Sequence, residues 1–124
     1  MTGIAKLLLP LAALALILPA GALAGDAAAG KQTYNTVCFT CHGMTGKGDG
    51  PAGAALNPKP RDFSTGDFKY DADGNGKPGE DVDLTLVIKN GAAKYGGSPV
   101  MAPWGYLSDE DIANVVAYVR SLKK

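Results

Sequence analysis

Both cysteines and the single histidine of this 124-residue chain fall within one short run, TVCFTCHGMTG at residues 36–46. Two thiols two residues apart, followed at once by an imidazole, are suited to four kinds of chemistry. A disulfide between Cys38 and Cys41 would close a ring too small to staple much chain, and it leaves His42 without a purpose. A redox dithiol belongs at the start of a helix that follows a strand, whereas this run ends a helical pattern with no strand before it. A structural zinc site needs a fourth ligand, and with no other Cys or His a carboxylate would have to supply it. Covalent haem attachment uses all three residues at once: each thiol adds to a vinyl group, and His42 follows as the proximal iron ligand.

The elements that must position this run are helical at both ends of the chain and irregular between. Asp26 is placed to cap a first helix through AAAGKQTYNTVC, which carries the cysteines at its C-terminal end. From Gly43 to about Pro78 the chain is dense in turn formers and shows no sustained apolar period, so ordered loop is expected, with one short helical turn near Ala52 to Leu56. A loop that long inside a compact domain usually wraps something. Order resumes at DVDLTLVIKNG, where Leu84, Val87 and Ile88 fall at helical spacing and Gly91 stands at the C-cap. In the last helix Ser108 opens a capping box closed by Asp111, and Ile112, Val115, Val116 and Val119 form one apolar stripe. No run alternates as a strand does. The expectation is an all-α domain of about three to four helices with a large irregular belt.

Composition sets the address and the partners. Lys6 gives a positive start, Leu7 to Leu18 an apolar stretch broken by Pro10, and Ala22-Leu23-Ala24 the small-x-small pattern cut by signal peptidase. Residues 1–24 therefore read as a cleaved signal peptide and 25–124 as one mature domain in the periplasm. The apolar stretch is just long enough for the alternative, a retained anchor. One of the 12 basic residues lies in the signal, leaving 11 against 12 acidic ones, a balance that argues against a nucleic-acid partner. The segment DADGNGKPGEDVD begins like a calcium loop at Asp71, Asp73 and Asn75. Its twelfth position is Val82 where a bidentate Glu belongs, so it reads as a solvated turn.

Taken together these residues resemble a class I c-type cytochrome, the small monohaem His/Met kind of the bacterial cell envelope. CFTCHG carries the attachment motif, and Gly30 and Tyr34 stand eight and four positions before Cys38. In that family a small residue and an aromatic at those places cross the C-terminal helix, where VVAYVRSL supplies Val115 and Tyr118 as partners. The physics agrees, because glycine lets two helices approach and an aromatic pair then fixes the crossing. The resemblance implies the cytochrome c fold, its helices and loops wrapped around one covalently bound haem c.

The sixth iron ligand follows partly by elimination. With one histidine, this chain cannot supply two imidazoles. Met1 leaves with the signal, and Met44 lies only two residues after His42, too close to reach the other face. Met101, in GGSPVMAPWG, precedes the last helix in a loop of the type that holds the distal methionine in the family. His42 and Met101 are thus the expected metal ligands, and Cys38 and Cys41 complete the cofactor-binding set. The resemblance also implies a proline carbonyl as partner of the His42 ring, for which Pro51, Pro58 and Pro60 compete. Arg61 and Trp104 are candidates to meet a haem propionate, and Lys94 and Tyr95 to line the distal side.

An iron closed by two protein ligands passes electrons and offers no place for substrate. The expected function is electron transfer with no enzymatic activity, by a monomer that docks transiently with redox proteins: a membrane oxidoreductase and a terminal acceptor. Small residues near Gly96, Gly97 and the attachment loop would let a partner approach. The alternative is a haem enzyme or gas-binding sensor whose sixth position is open or displaceable. The lack of a distal histidine or other acid-base residue favours the carrier.

Overall fold

The computed structural model describes residues 25–124 and, before them, only residues 3, 5, 8 and 10–13. The expected cleavage pattern Ala22-Leu23-Ala24 lies outside the described residues. Four α-helices are present: α1 (Ala27–Val37), α2 (Phe39–His42), α3 (Asp81–Asn90) and α4 (Asp109–Ser121). Two 3₁₀ turns, Phe63–Thr65 and Ala92–Tyr95, interrupt the connecting segments, and there is no strand among the described residues. The all-α expectation holds.

α1 starts where Asp26 predicts. Its carboxylate accepts from the amides of Ala28 at 2.9 Å and Ala29 at 3.3 Å, two of the donors that a helix start leaves without partners. The helix does not run on through the cysteines. It ends at Val37, Cys38 forms the cap, and a separate four-residue turn carries Cys41 and His42. At the start of α4 the Ser108 hydroxyl accepts from Asp111 N at 3.0 Å. The reciprocal reach of an N3 carboxylate to the N-cap amide is found at α3, where Asp83 accepts from Glu80 N at 2.8 Å.

The core forms where α4 crosses α1. Ile112, Val115, Val116 and Val119 are all buried, and with Tyr34 and Leu84 they make one cluster. Gly30 faces the backbone of α4: a Cβ placed on it would lie 1.9 Å from Asn114 O and 2.3 Å from Asn114 C. Only a hydrogen fits, so the glycine sets how closely the two helices approach. One turn later Tyr34 meets Tyr118 edge to face, with centroids 5.0 Å apart and planes at 62°. That is the crossing implied by the resemblance. Tyr34 also donates its hydroxyl to Gly43 O at 2.6 Å, tying the crossing to the residue after His42.

α3 is held against α4 from outside by Arg120. Its Nε donates to Asp81 at 2.7 Å and its Nη2 to Gly79 O at 2.5 Å, while the guanidinium lies 5.2 Å from the Phe68 ring centroid. The expected helical turn at Ala52 to Leu56 is instead a run of turns through residues 51–55, in keeping with its glycine and proline content.

Candidate functional site

The four helices and the belt enclose a cavity of about 470 Å³, within the range of pockets that bury a sizeable ligand. Cys38, Cys41 and His42 line it from the α1 cap and α2, and Met101 from the segment between α3 and α4. Leu84, Val87 and Ile88 of α3 line it as well, so the helical spacing read in DVDLTLVIKNG marks a cofactor-facing stripe as much as a core. Phe63, Phe68, Tyr70 and Trp104 add aromatic surface. All four residues expected to hold the haem therefore reach one largely apolar space.

His42 is fixed from two sides. Its Nδ1 lies 3.2 Å from Arg61 O. A carbonyl can only accept, so Nδ1 carries the proton and Nε2 keeps the lone pair that a metal would use. The ring stacks on Phe63 with centroids 4.4 Å apart and planes at 18°. Burial pulls the imidazole pKa below its ordinary value, and the bond to the Arg61 carbonyl offsets only part of that. The buried ring is therefore held neutral, the form a metal ligand needs.

The carbonyl partner belongs to Arg61, one residue past Pro60, and not to Pro51, Pro58 or Pro60 as expected. Phe63 N donates to Gly46 O at 2.6 Å, pinning the belt so that the carbonyl of residue 61 is the one presented to the ring. Neither this choice nor the Phe63 stack has a signal in the spacing of the sequence. The Arg61 side chain turns away to Asp67, donating from Nε to the Asp67 carbonyl at 2.8 Å and pairing with the Asp67 carboxylate at 3.2 Å.

Around Met101 the backbone is anchored by α3. Ala92 N donates to Met101 O at 3.1 Å, and Trp104 N to Ile88 O at 2.8 Å. Gly91, with φ of 82°, makes the turn that lets this segment pass, and a Cβ there would approach Met101 O to 3.1 Å. Trp104 lines the cavity and packs its ring against Tyr106, with centroids 5.7 Å apart. Lys94 and Tyr95 are not among the lining residues; the Tyr95 hydroxyl accepts from Asn90 Nδ2 at 2.8 Å.

The other chemistries of Cys-x-x-Cys-His fit poorly. The two sulfurs are not joined. Burial, with Cys41 beside it, pushes the Cys38 thiol up to about 11, which makes it a poor thiolate donor for redox exchange. Among the described residues the one set of metal-ligating atoms that converges within 4.8 Å is Asp71, Asp73 and Asp83, so no carboxylate completes a compact zinc site around the cysteines. Those aspartates are acceptors already: Asp83 bonds the amides of Ala72, Asp73 and Glu80, and Asp71 those of Asn75 and Gly76. This explains the calcium-like spacing as a self-capped loop.

Comparison with known proteins agrees with the cavity. The Cytochrome c family model matches residues 27–123. Cytochrome c-554(547) of Halothiobacillus neapolitanus is 36% identical over 105 residues, covering 81% of this chain and 100% of that protein. Cytochrome c-554(548) of Halomonas halodenitrificans is 33% identical over 99 residues, covering 79% of this chain and 98% of its own. Among solved structures, a chain of the Kuenenia stuttgartiensis reducing HAO-like protein complex Kustc0457/Kustc0458 superposes with a TM-score of 0.66 at 32% identity. The match covers 82% of this chain and 44% of that one, so this chain spans less than half of that neighbour's length. The chain is thus a member of the cytochrome c family, holding one covalent haem c and serving haem-based electron transfer.

Proposed function

We propose that this protein is a periplasmic electron carrier in which Cys38 and Cys41 bind the haem through thioethers while His42 and Met101 ligate its iron. The observation that carries the reading is the meeting of these four residues, from two segments far apart in the chain, on one apolar cavity. The haem supplies a one-electron couple there. The chain does the rest: Arg61 O and Phe63 hold the His42 ring in the tautomer that offers Nε2, and the apolar walls from α3 keep water away. A methionine as second ligand raises the potential and leaves no open position, which supports a carrier and no enzymatic role.

Residues 1–24 as a cleaved signal place the carrier in the periplasm, in keeping with the export typical of this family. No helix among the described residues is long and apolar enough to cross a membrane. The partners are redox proteins, a membrane oxidoreductase and a terminal acceptor, met transiently by a monomer. One observation favours a variant: the structural neighbour is a chain of a redox complex, which supports a lasting place as an electron-transfer subunit.

The test is the ferric optical and near-infrared spectrum of protein matured in a periplasm, repeated for Met101→Ala. A methionine-to-iron charge-transfer band that the substitution abolishes is expected. High-spin iron in the wild type that binds carbon monoxide readily would instead favour the sensor or enzyme.

A further inference from the structure

We propose that Asp83 is an electrostatic positioning residue of the haem pocket, a fixed anion in the wall that holds the reduction equilibrium toward the oxidised form. Asp83 is 1% exposed and lines the cavity, as Tyr70 and Leu84 do. A buried carboxylate is costly unless its charge is compensated. Here the compensation is three backbone amides, Ala72 N at 2.7 Å, Glu80 N at 2.8 Å and Asp73 N at 3.3 Å. Such bonds stabilise the ionised state without cancelling its net charge.

Among the described residues no cation pairs with it. Among the described residues the ion pairs are Arg61 with Asp67, Lys89 with Asp109, and Arg120 with Asp81. Lys69 lies over the Tyr70 ring, 5.2 Å from its centroid. The neighbours closest in kind, Asp71 and Asp73, carry the same sign, and their ligand atoms lie within 4.8 Å of those of Asp83. One-electron reduction removes a positive charge from the pocket, so a negative charge in its wall opposes reduction. Asp71 and Asp73 act in the same direction but sit in the loop facing water, where screening weakens them.

Asp83 also anchors the 71–80 loop, so loss of the side chain has a structural consequence that must be separated from the electrostatic one. The two differ in sign. A loosened wall admits water, which favours the more highly charged oxidised form and lowers the midpoint potential. Removal of a buried anion raises it. The proposal rests on a haem held in this cavity by the four residues named above. The wild-type charge-transfer band tests that premise separately, since its absence would refute the ligand set without bearing on Asp83.

The experiment is a spectroelectrochemical titration of holoprotein, wild type and Asp83→Asn, in chelator, at low and high ionic strength. We expect the reduction equilibrium constant of Asp83→Asn to rise on the order of tenfold, which is about 59 mV for a one-electron couple, and most of the rise to persist in high salt. An unchanged or lowered midpoint, with the wild-type ligand band retained, overturns the proposal. Should Asp83→Asn fail to accumulate, Asp73→Lys decides the matter: from an exposed loop position it places a cation beside the buried carboxylate, giving up the Asp73 bond to Asn75 N and its contact with the Asp83 side chain. Its midpoint should rise by a smaller amount, and no rise would overturn the proposal equally.

Discussion

Gly30→Ala separates two physical accounts of the same residue. Gly30 lies within α1, and propensity alone predicts that alanine in a helix interior stabilises the fold by about 1 kcal/mol. The packing predicts the reverse. The new Cβ would stand 1.9 Å from Asn114 O and 2.8 Å from Val115 N, against an optimal non-bonded separation of about 3.5 Å. Both obstacles are backbone atoms of a helix, which cannot turn aside as a side-chain tip can. α1 and α4 must therefore part, by roughly 1–1.5 Å, and a gap of this size forfeits much of the dispersion between Tyr34 and the Ile112–Val119 stripe. Overpacking costs about 1–3 kcal/mol, and a weakened Tyr34–Tyr118 contact adds up to about 1 kcal/mol. Net of the propensity gain, the variant should lose up to about 3 kcal/mol. Guanidinium unfolding of the holoprotein, with the haem covalently retained, should show a lower midpoint at unchanged slope, and the thermal midpoint should fall by about 4–8 °C for each kcal/mol. A midpoint equal to or above wild type would refute the claim that this glycine sets the crossing.

Tyr34→Phe deprives Gly43 O of its 2.6 Å donor, leaving only Gly46 N at 3.3 Å, and should cost about 1–2 kcal/mol in the same unfolding assay with the ligand spectrum unchanged. Burial would raise the Asp83 pKa, but its three backbone donors more than offset this and hold it below the ordinary 3.8. A depressed folded-state pKa gives stability that is complete above the unfolded value and is lost as pH falls through the folded one. The stability difference between wild type and Asp83→Asn should therefore be greatest above about pH 4 and shrink below it, as followed by unfolding from pH 7 to 2; a constant difference would show that Asp83 does not titrate with the fold. His42→Ala should abolish normal iron ligation and Cys38→Ala or Cys41→Ala should weaken covalent attachment, read from the absorption spectrum and from haem retained after denaturing electrophoresis. A wild-type spectrum from His42→Ala would overturn the site.

Legibility in the sequence tracked how local each determinant is. The caps at Asp26 and Ser108 and the stripe of α4 act within one or two turns, so side-chain type and spacing were enough to find them. The Gly30 and Tyr34 crossing came from the family resemblance, and it held because its residues lie on regular helices, where face follows from position. The His42 partner was not. Which carbonyl meets Nδ1 depends on how the belt from Gly43 to Asp62 folds back, and that is set by contacts such as Phe63 N to Gly46 O between residues far apart in sequence. Residue type could not help, since every residue has a carbonyl. That none of the three competing prolines, Pro51, Pro58 and Pro60, supplies the carbonyl is the error to expect when backbone atoms do the chemistry.

Asp83 shows the same divide within a single side chain. As the last residue of the GEDVD run it looks like an ordinary acid in the first turn of a helix, favourable there because it meets exposed amides. One of its three donors, Glu80 N, is such a local partner, and a capping pattern could have found it. The other two come from Ala72 and Asp73, eleven and ten residues earlier, where DADGNG begins like a calcium loop. The acidic loop and the acidic cap are one structure, closed on backbone amides and set against the wall of the haem cavity. A surface capping acid would be screened by solvent and replaceable at small cost. Burial removes that screening, so the residue that fastens the loop also places a net charge with no cation partner beside a redox centre, and its two roles move the potential in opposite directions.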